Sequence, residues 1–234
     1  MKAITELKKD IEFNKSLKSL VEVLKSIAVS HYHMLERKIK SEEKFFAVLR
    51  DFFAFPELKS SRHPFLSTSS RPTGIVAITS DMGLLGGLNM KVMAAALDEA
   101  SKGSCRLVII GEKGHGLAKD RGFSFVAFPG VKDELRFGQA MAIRDFLMEQ
   151  ILTGKMGSLV VFYPEPVSFL VQRVKRYALL PFEIPEATTH ADLSKGVIFE
   201  SNFDDIVEYL VSLWMGQSFY EILGFSRLSE LSAR

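Results

Sequence analysis

Apolar and polar positions change their rhythm twice along this chain. In the first stretch Leu17, Leu20, Leu24, Ile27, His31 and Met34 recur at alternating intervals of three and four, the seam of a coiled-coil helix. Ile4, Leu7 and Ile11 keep those intervals one residue out of phase, so the seam shifts between Ile11 and Leu17. Val21, Ala28 and Leu35 widen the stripe. Neither Gly nor Pro occurs between Met1 and Phe55, and Lys, Glu, Leu and Ser abound, which predicts one long helix over 1–56. About 50 helical residues make a rod of about 75 Å, longer than a compact domain is wide. Such a rod needs a partner along its length.

Pro56, Pro64 and Pro72 then punctuate a polar segment, and 57–73 reads as a linker or mobile loop. Beyond it the rhythm becomes that of buried strands alternating with helices. Short apolar runs predict strands at Gly74–Ser80, Cys105–Ile110, Phe123–Phe128 and Ser158–Tyr163. Helical patterns cover Asn89–Lys102 and Phe137–Leu152, and the alternation from Val167 to Leu180 suits an antiparallel edge strand. The alternation makes 74–194 an α/β domain with a mainly parallel, Rossmann-like sheet. In the last region, 195–234, a short strand at Gly196–Glu200 precedes a capped helix start at Ser201-Asn202-Phe203-Asp204. Ile206, Leu210, Leu213, Tyr220 and Leu231 form its expected stripe, and Gly216 and Gly224 permit close packing against another helix. The fold class is therefore α/β, with the sheet domain inserted between two long terminal helices that form an antiparallel coiled coil.

Charge supports that pairing: residues 1–55 carry a net +3 and residues 201–234 a net −3. The whole chain of 234 residues has a net charge of +2, too little for a general nucleic-acid binder. One cysteine, Cys105, leaves no disulfide framework and no multi-cysteine zinc site, and within an apolar strand it reads as a buried, inert thiol. The opening residues lack the apolar run of a secretory leader, and no uncharged stretch approaches the roughly 20 residues that cross a bilayer.

Candidate chemistry concentrates in Ser80-Asp81-Met82-Gly83-Leu84-Leu85-Gly86-Gly87-Leu88-Asn89, where a strand gives way to a helix and an α/β fold places a phosphate loop. The segment matches neither G-x-G-x-x-G nor G-x-x-x-x-G-K-[ST], and Gly111-Glu112-Lys113-Gly114-His115-Gly116 matches neither. Tight turns and close helix–strand approach are the favoured role for these glycines, with nucleotide binding at Gly83–Asn89 as the alternative. His31 and His33 point to different faces of a helix and cannot chelate one metal easily, and no G-x-S-x-G elbow is present.

The run Ile78 to Asn89 resembles the signature T-S-D-R-G-L-C-G-G-L-N of the gamma subunit of F-type ATP synthase, with Met82 in place of arginine and Leu85 in place of cysteine. The likeness continues in order. Leu24 to Ser30 is similar to M-K-M-V-A-A-S, Ile110 to Gly114 to V-G-K-K-G, and Tyr163 to Pro181 to Y-N-x-F-x-S-x-x-x-Q…L-L-P. Ser218 to Leu223 resembles A-L-L-E-S-L, and Ser229 to Arg234 resembles S-E-x-A-A-R, after which the family's second helix runs on; the chain is expected to be divergent and short at this end.

The resemblance implies a non-catalytic central rotor stalk without a cofactor or a metal of its own. It would couple proton- or sodium-driven rotation of the membrane ring to ATP synthesis or hydrolysis on partner subunits. The terminal helices would turn inside the alpha and beta subunits, with Leu24 and Ile27 facing them. The α/β domain would sit against epsilon and the rotor c-ring, with Phe199 and Glu200 toward the ring. Ser80, Asp81, Gly83, Gly86, Gly87 and Asn89 become a structural signature. The implied location is a peripheral membrane complex on the cytoplasmic face of a bacterial inner membrane, with an organelle as the alternative. Two departures keep an alternative open, a gamma-like binding or assembly protein without rotation: Ser30 to Leu35 carries no Lys or Arg, and pairing by a short second helix would leave Ile4, Leu7 and Ile11 bare, and Leu17 at the limit.

Overall fold

The computed structural model describes residues 4–40, 46, 49, 63–67, 69–83, 85, 87–168, 171–182 and 200–233. Helix α1 spans Ile4–Lys40. The α/β domain follows with β1 (Thr73–Ile78), α2 (Leu88–Ala100), β2 (Cys105–Ile110), α3 (His115–Asp120), β3 (Phe125–Phe128), α4 (Arg136–Leu152), β4 (Ser158–Pro166) and β5 (Gln172–Leu180). Helix α5, Phe203–Ala233, closes the described chain.

The sheet runs β3-β2-β1-β4-β5, parallel throughout except for β5, which returns antiparallel along β4. Its central strands are apolar on consecutive residues because both faces are covered. Ile75 and Ala77 of β1 point to one side, joining Leu107, Ile109, Val160 and Phe162 against Val92, Met93, Ala96 and Leu97 of α2. Val76 and Ile78 point to the other, with Val108, Ile110, Leu159 and Val161 beneath α4 and α5. The expected antiparallel edge strand is present as β5, but only from Gln172 to Leu180, since Val167 donates its N–H to the Val171 carbonyl in the turn from β4.

Three details differ from expectation. Strand β3 begins at Phe125, because the Phe123 N–H is taken by the Ala118 carbonyl in the turn that ends α3 (3.0 Å). In the segment read as a mobile loop, Phe65 is fully buried, its carbonyl accepts the Phe182 N–H at 2.8 Å, and His63 meets Glu208 of α5 at 3.4 Å. The stripe expected on α5 is off its most buried face. Ile206, Leu213, Tyr220 and Leu231 are only half-buried, whereas Val207, Val211, Met215, Phe219 and Leu223 are sealed. A single stripe presumes one partner, and α5 packs against both the sheet and α4, besides meeting α1.

Helix α1 meets α5, yet its large apolar side chains from Ile4 to Ile27 are 47 to 76% exposed. The bare stretch therefore continues past Leu17 through Leu20, Leu24 and Ile27. The reason is the commitment of α5 to the domain: its buried residues, Val207 to Glu230, lie against the sheet and α4. The glycines of α5 act as expected. A Cβ at Gly216 would lie 2.8 Å from the Met141 methyl and one at Gly224 2.8 Å from Arg136 Nη1, so both admit side chains of α4. The expected strand at Gly196–Glu200 falls outside the described residues, save for Glu200, which is not in a strand.

Candidate functional site

The glycine-rich turn joins β1 to α2 and is held from within. The Thr79 N–H donates to the Ile110 carbonyl (2.7 Å), and its hydroxyl lies 2.8 Å from that oxygen and 3.0 Å from the Gly111 carbonyl. The same hydroxyl accepts the Gly114 N–H at 3.1 Å. Buried Ser80 donates its N–H to Asn89 Oδ1 (3.1 Å), while Asn89 Nδ2 donates to Ser80 Oγ (2.9 Å). The side chain at the start of α2 is thus tied back to the end of β1.

Asp81 reaches furthest. Its Oδ1 accepts the Glu112 N–H (3.1 Å) and the Gly130 N–H (3.0 Å), and Oδ2 lies 3.2 Å from the Gly130 nitrogen. Glu112 follows β2 and Gly130 follows β3, so one carboxylate fastens the carboxyl ends of three neighbouring strands. Glycine is required around it. A Cβ at Gly130 would lie 2.5 Å from the Asp81 carboxyl, and Gly111 adopts φ +89° against the Thr79 carbonyl. These backbone N–H groups lie beside the glycine-rich turn, and the protein's own carboxylate takes them. Gly87 supplies the left-handed turn (φ 83°) that opens α2, while Gly83 and Met82 are exposed. Gly86 lies outside the described residues.

The remaining residues singled out in the sequence do not gather around this turn. Leu24 and Ile27 stand on α1, 57% and 50% exposed. Glu200 is exposed just before α5, and Phe199 lies outside the described residues. Cys105, expected to be buried, is half-buried at the start of β2, and burial pushes its thiol up, away from a reactive thiolate. A cleft of about 600 Å³ opens between β5 and α5, lined by Tyr163, Tyr177, Trp214 and Ser218. Burial raises both tyrosines, and Lys175 on its wall is bound to Glu165 at 2.6 Å. Among the described residues no group of three His, Cys, Asp or Glu is placed to hold a metal ion, and no helix is long and apolar enough to cross a membrane.

Sequence reasoning found Ser80, Asp81 and Asn89 but missed Glu112 and Gly130 as the partners of Asp81, and the bonds of Thr79 to the turn after β2. The available signal was a small residue just beyond each of β2 and β3. The arrangement has the character of a rigid scaffold: a stapled sheet edge, a helix sealed into the domain, and a second helix presenting an apolar stripe.

Comparison with known proteins agrees with that character. The family described as ATP synthase matches residues 3–234. The ATP synthase gamma chain of Pelotomaculum thermopropionicum is 25% identical over 240 residues, covering 100% of this chain and 84% of its own length. That of Desulforudis audaxviator is 26% identical over 251 residues, covering 100% and 85%. Among solved structures, the central stalk and c-ring of Tetrahymena thermophila mitochondrial ATP synthase matches with a TM-score of 0.56 at 21% identity, over 88% of this chain and 95% of that one. The rotor of the Euglena gracilis mitochondrial enzyme matches with a TM-score of 0.61 at 14% identity, over 97% and 86%.

Proposed function

The chain belongs to the gamma-subunit family of ATP synthase, the non-catalytic central stalk of a membrane-associated complex, and we propose how its parts serve that role. Helix α1 is the part that enters the ring of alpha and beta subunits, where Leu24 and Ile27 face them. Beyond that bare stretch it pairs with the other terminal helix region, so that 1–56 and 195–234 form the stalk, 57–73 the connection and 74–194 the foot. The foot meets epsilon and the rotor c-ring, the latter through Phe199 and Glu200. Ser80, Asp81, Gly83, Gly86, Gly87 and Asn89 serve rigidity. Rotation driven by protons or sodium is passed to catalytic sites on the partners, on the cytoplasmic face of a bacterial inner membrane.

The observation that carries this reading is the apolar stripe of α1, bare from Ile4 to Ile27. Ten large apolar side chains in water are costly unless another subunit covers them. The internally bonded Asp81 supports a scaffold role for the glycine-rich turn and speaks against nucleotide there.

Co-purification of the tagged chain from its source tests the reading. Recovery of alpha, beta and epsilon subunits together with ATPase activity and ATP-driven ion uptake into vesicles is the expected result. A complex that assembles and hydrolyses ATP without ion uptake would favour an assembly role. A solitary chain whose melting temperature rises with ATP would favour the nucleotide-binding alternative.

A further inference from the structure

The contact between α4 and α5 contains a residue that a purely structural interface has little reason to keep. Arg136, in the first turn of α4, is only 7% exposed. Its Nε has no hydrogen-bond partner among the described residues. Its guanidinium carbon stands 4.1 Å from the centre of the Tyr220 ring, and its Nη1 fills the space left by the missing side chain of Gly224. Tyr220 is held from another direction by the edge of Phe137, with ring centroids 6.2 Å apart. About two turns beyond Tyr220 on α5, Arg227 binds Asp133, just ahead of α4, at 3.1 Å and Glu230 at 3.0 Å.

Burying a charge with an unpaired donor costs stability, and an unbranched apolar side chain of similar length would fill the same space more cheaply. What arginine adds is geometry. A planar cation stacked on a tyrosine and seated over a glycine allows one orientation of the two helices, and resists both rotation and sliding of α5. A local rule broken inside an otherwise consistent core marks a place where function has been favoured over stability.

We infer that Arg136 is a positioning residue for torque transfer: seated between Tyr220 and Gly224, it fixes the rotational phase of α5 against the α/β domain, so that torque received by the domain reaches the stalk without slip. The inference rests on the rotor-stalk reading above.

The test uses the assembled complex in vesicles, carrying Arg136→Met, with ATP hydrolysis and ATP-driven proton or sodium uptake measured on the same preparation. The expected result is normal assembly and near-normal hydrolysis, with uptake per ATP reduced about twofold or more. Tyr220→Phe keeps the ring face and should leave the ratio unchanged, whereas Tyr220→Leu should reproduce the loss. Arg136→Lys, a cation without the plane, should fall between. A residue that only stabilised the fold would lower the yield of complex and leave uptake per ATP intact. An unchanged ratio in assembled Arg136→Met overturns the inference. If the unaltered chain itself fails to join alpha and beta subunits, the rotor-stalk reading has failed instead.

Discussion

Helix α1 has 37 residues and α5 has 31, and both carry apolar side chains along most of their length, yet they sit at opposite extremes of burial. In α1 the apolar positions form a narrow stripe that shifts between Ile11 and Leu17, set among Lys, Glu and Ser, and it stays in water from Ile4 to Ile27. In α5 apolar and small residues surround most of the circumference, and the helix is clasped by the sheet and α4. Its ends are fastened as well, by the Ser229 hydroxyl on the Pro164 carbonyl (3.0 Å) and by Glu208 against His63. A helix apolar on several sides folds with its own domain, while a helix apolar on one stripe awaits a partner.

The comparison breaks most readily at matched phenylalanines. Phe219 of α5 is 0% exposed, and Phe219→Ala should destabilise the isolated chain by about 3–5 kcal/mol in urea unfolding. Phe13 on α1 is 67% exposed, and Phe13→Ala should change the same measurement by no more than about 0.5 kcal/mol. Equal costs at the two sites would mean that α1 is packed in the free chain.

A second experiment asks whether α5 and the stapled sheet edge unfold together. Asp81→Ala leaves the Glu112 and Gly130 N–H groups without their acceptor, and should cost about 2–3 kcal/mol. Hydrogen exchange should show protection falling by the same amount in α5 and in β1. Amides of α1 between Ile4 and Ile27 should exchange early before and after the substitution, because an isolated helix is held only by its own bonds. Loss of protection confined to the turn would show that α5 is anchored independently of the sheet edge.

The same division explains what was legible in the residues. The buried strands stood out because a sheet covered on both faces needs consecutive apolar residues, and β2 matches its expected bounds at both ends. The apolar stripe of α1 was legible too, since it is a pattern along one helix, but its exposure beyond Leu17 was not, because that depends on where α5 is held. The phase of α5 was not, because two partners spread burial over a wider arc than a stripe describes. Asp81 stood in a recognisable motif, but its acceptor role was hidden: its partners are backbone N–H groups, which any residue possesses. Arg136 was less visible still, since a cation at a helix start reads as surface and only its neighbours Tyr220 and Gly224 make a buried seat for it.

Acid offers a milder test of how β4 and β5, beneath α5, hold together. Burial raises the Glu165 carboxyl, but hydrogen bonds from Lys175 and Arg173 outweigh it, and the group lies below its ordinary value of 4.5. A depressed carboxylate contributes stability that is present above the unfolded value and lost as pH falls through the folded one. Stability should therefore be steady from neutrality to about pH 5 and decline below 4.5, with Glu165→Gln flattening part of that decline. The helical signal of α1 should be insensitive to this substitution.

The smallest effect on the free chain should accompany the largest effect on assembly. Leu20 and Leu24 are more than half exposed, so Leu20→Ser with Leu24→Ser removes apolar surface that already faces water, and unfolding should move by no more than about 0.5 kcal/mol. In the complex the same side chains would be buried, and losing two of them removes about 3–6 kcal/mol of apolar burial from one interface. Recovery of alpha and beta subunits with the tagged chain should then fall sharply although the chain itself is as stable as before. Unchanged recovery would mean that the stripe is covered elsewhere or not at all. Reduced recovery with an unmoved melting curve would assign the apolar character of α1 to a partner, because nothing inside the chain would register its loss.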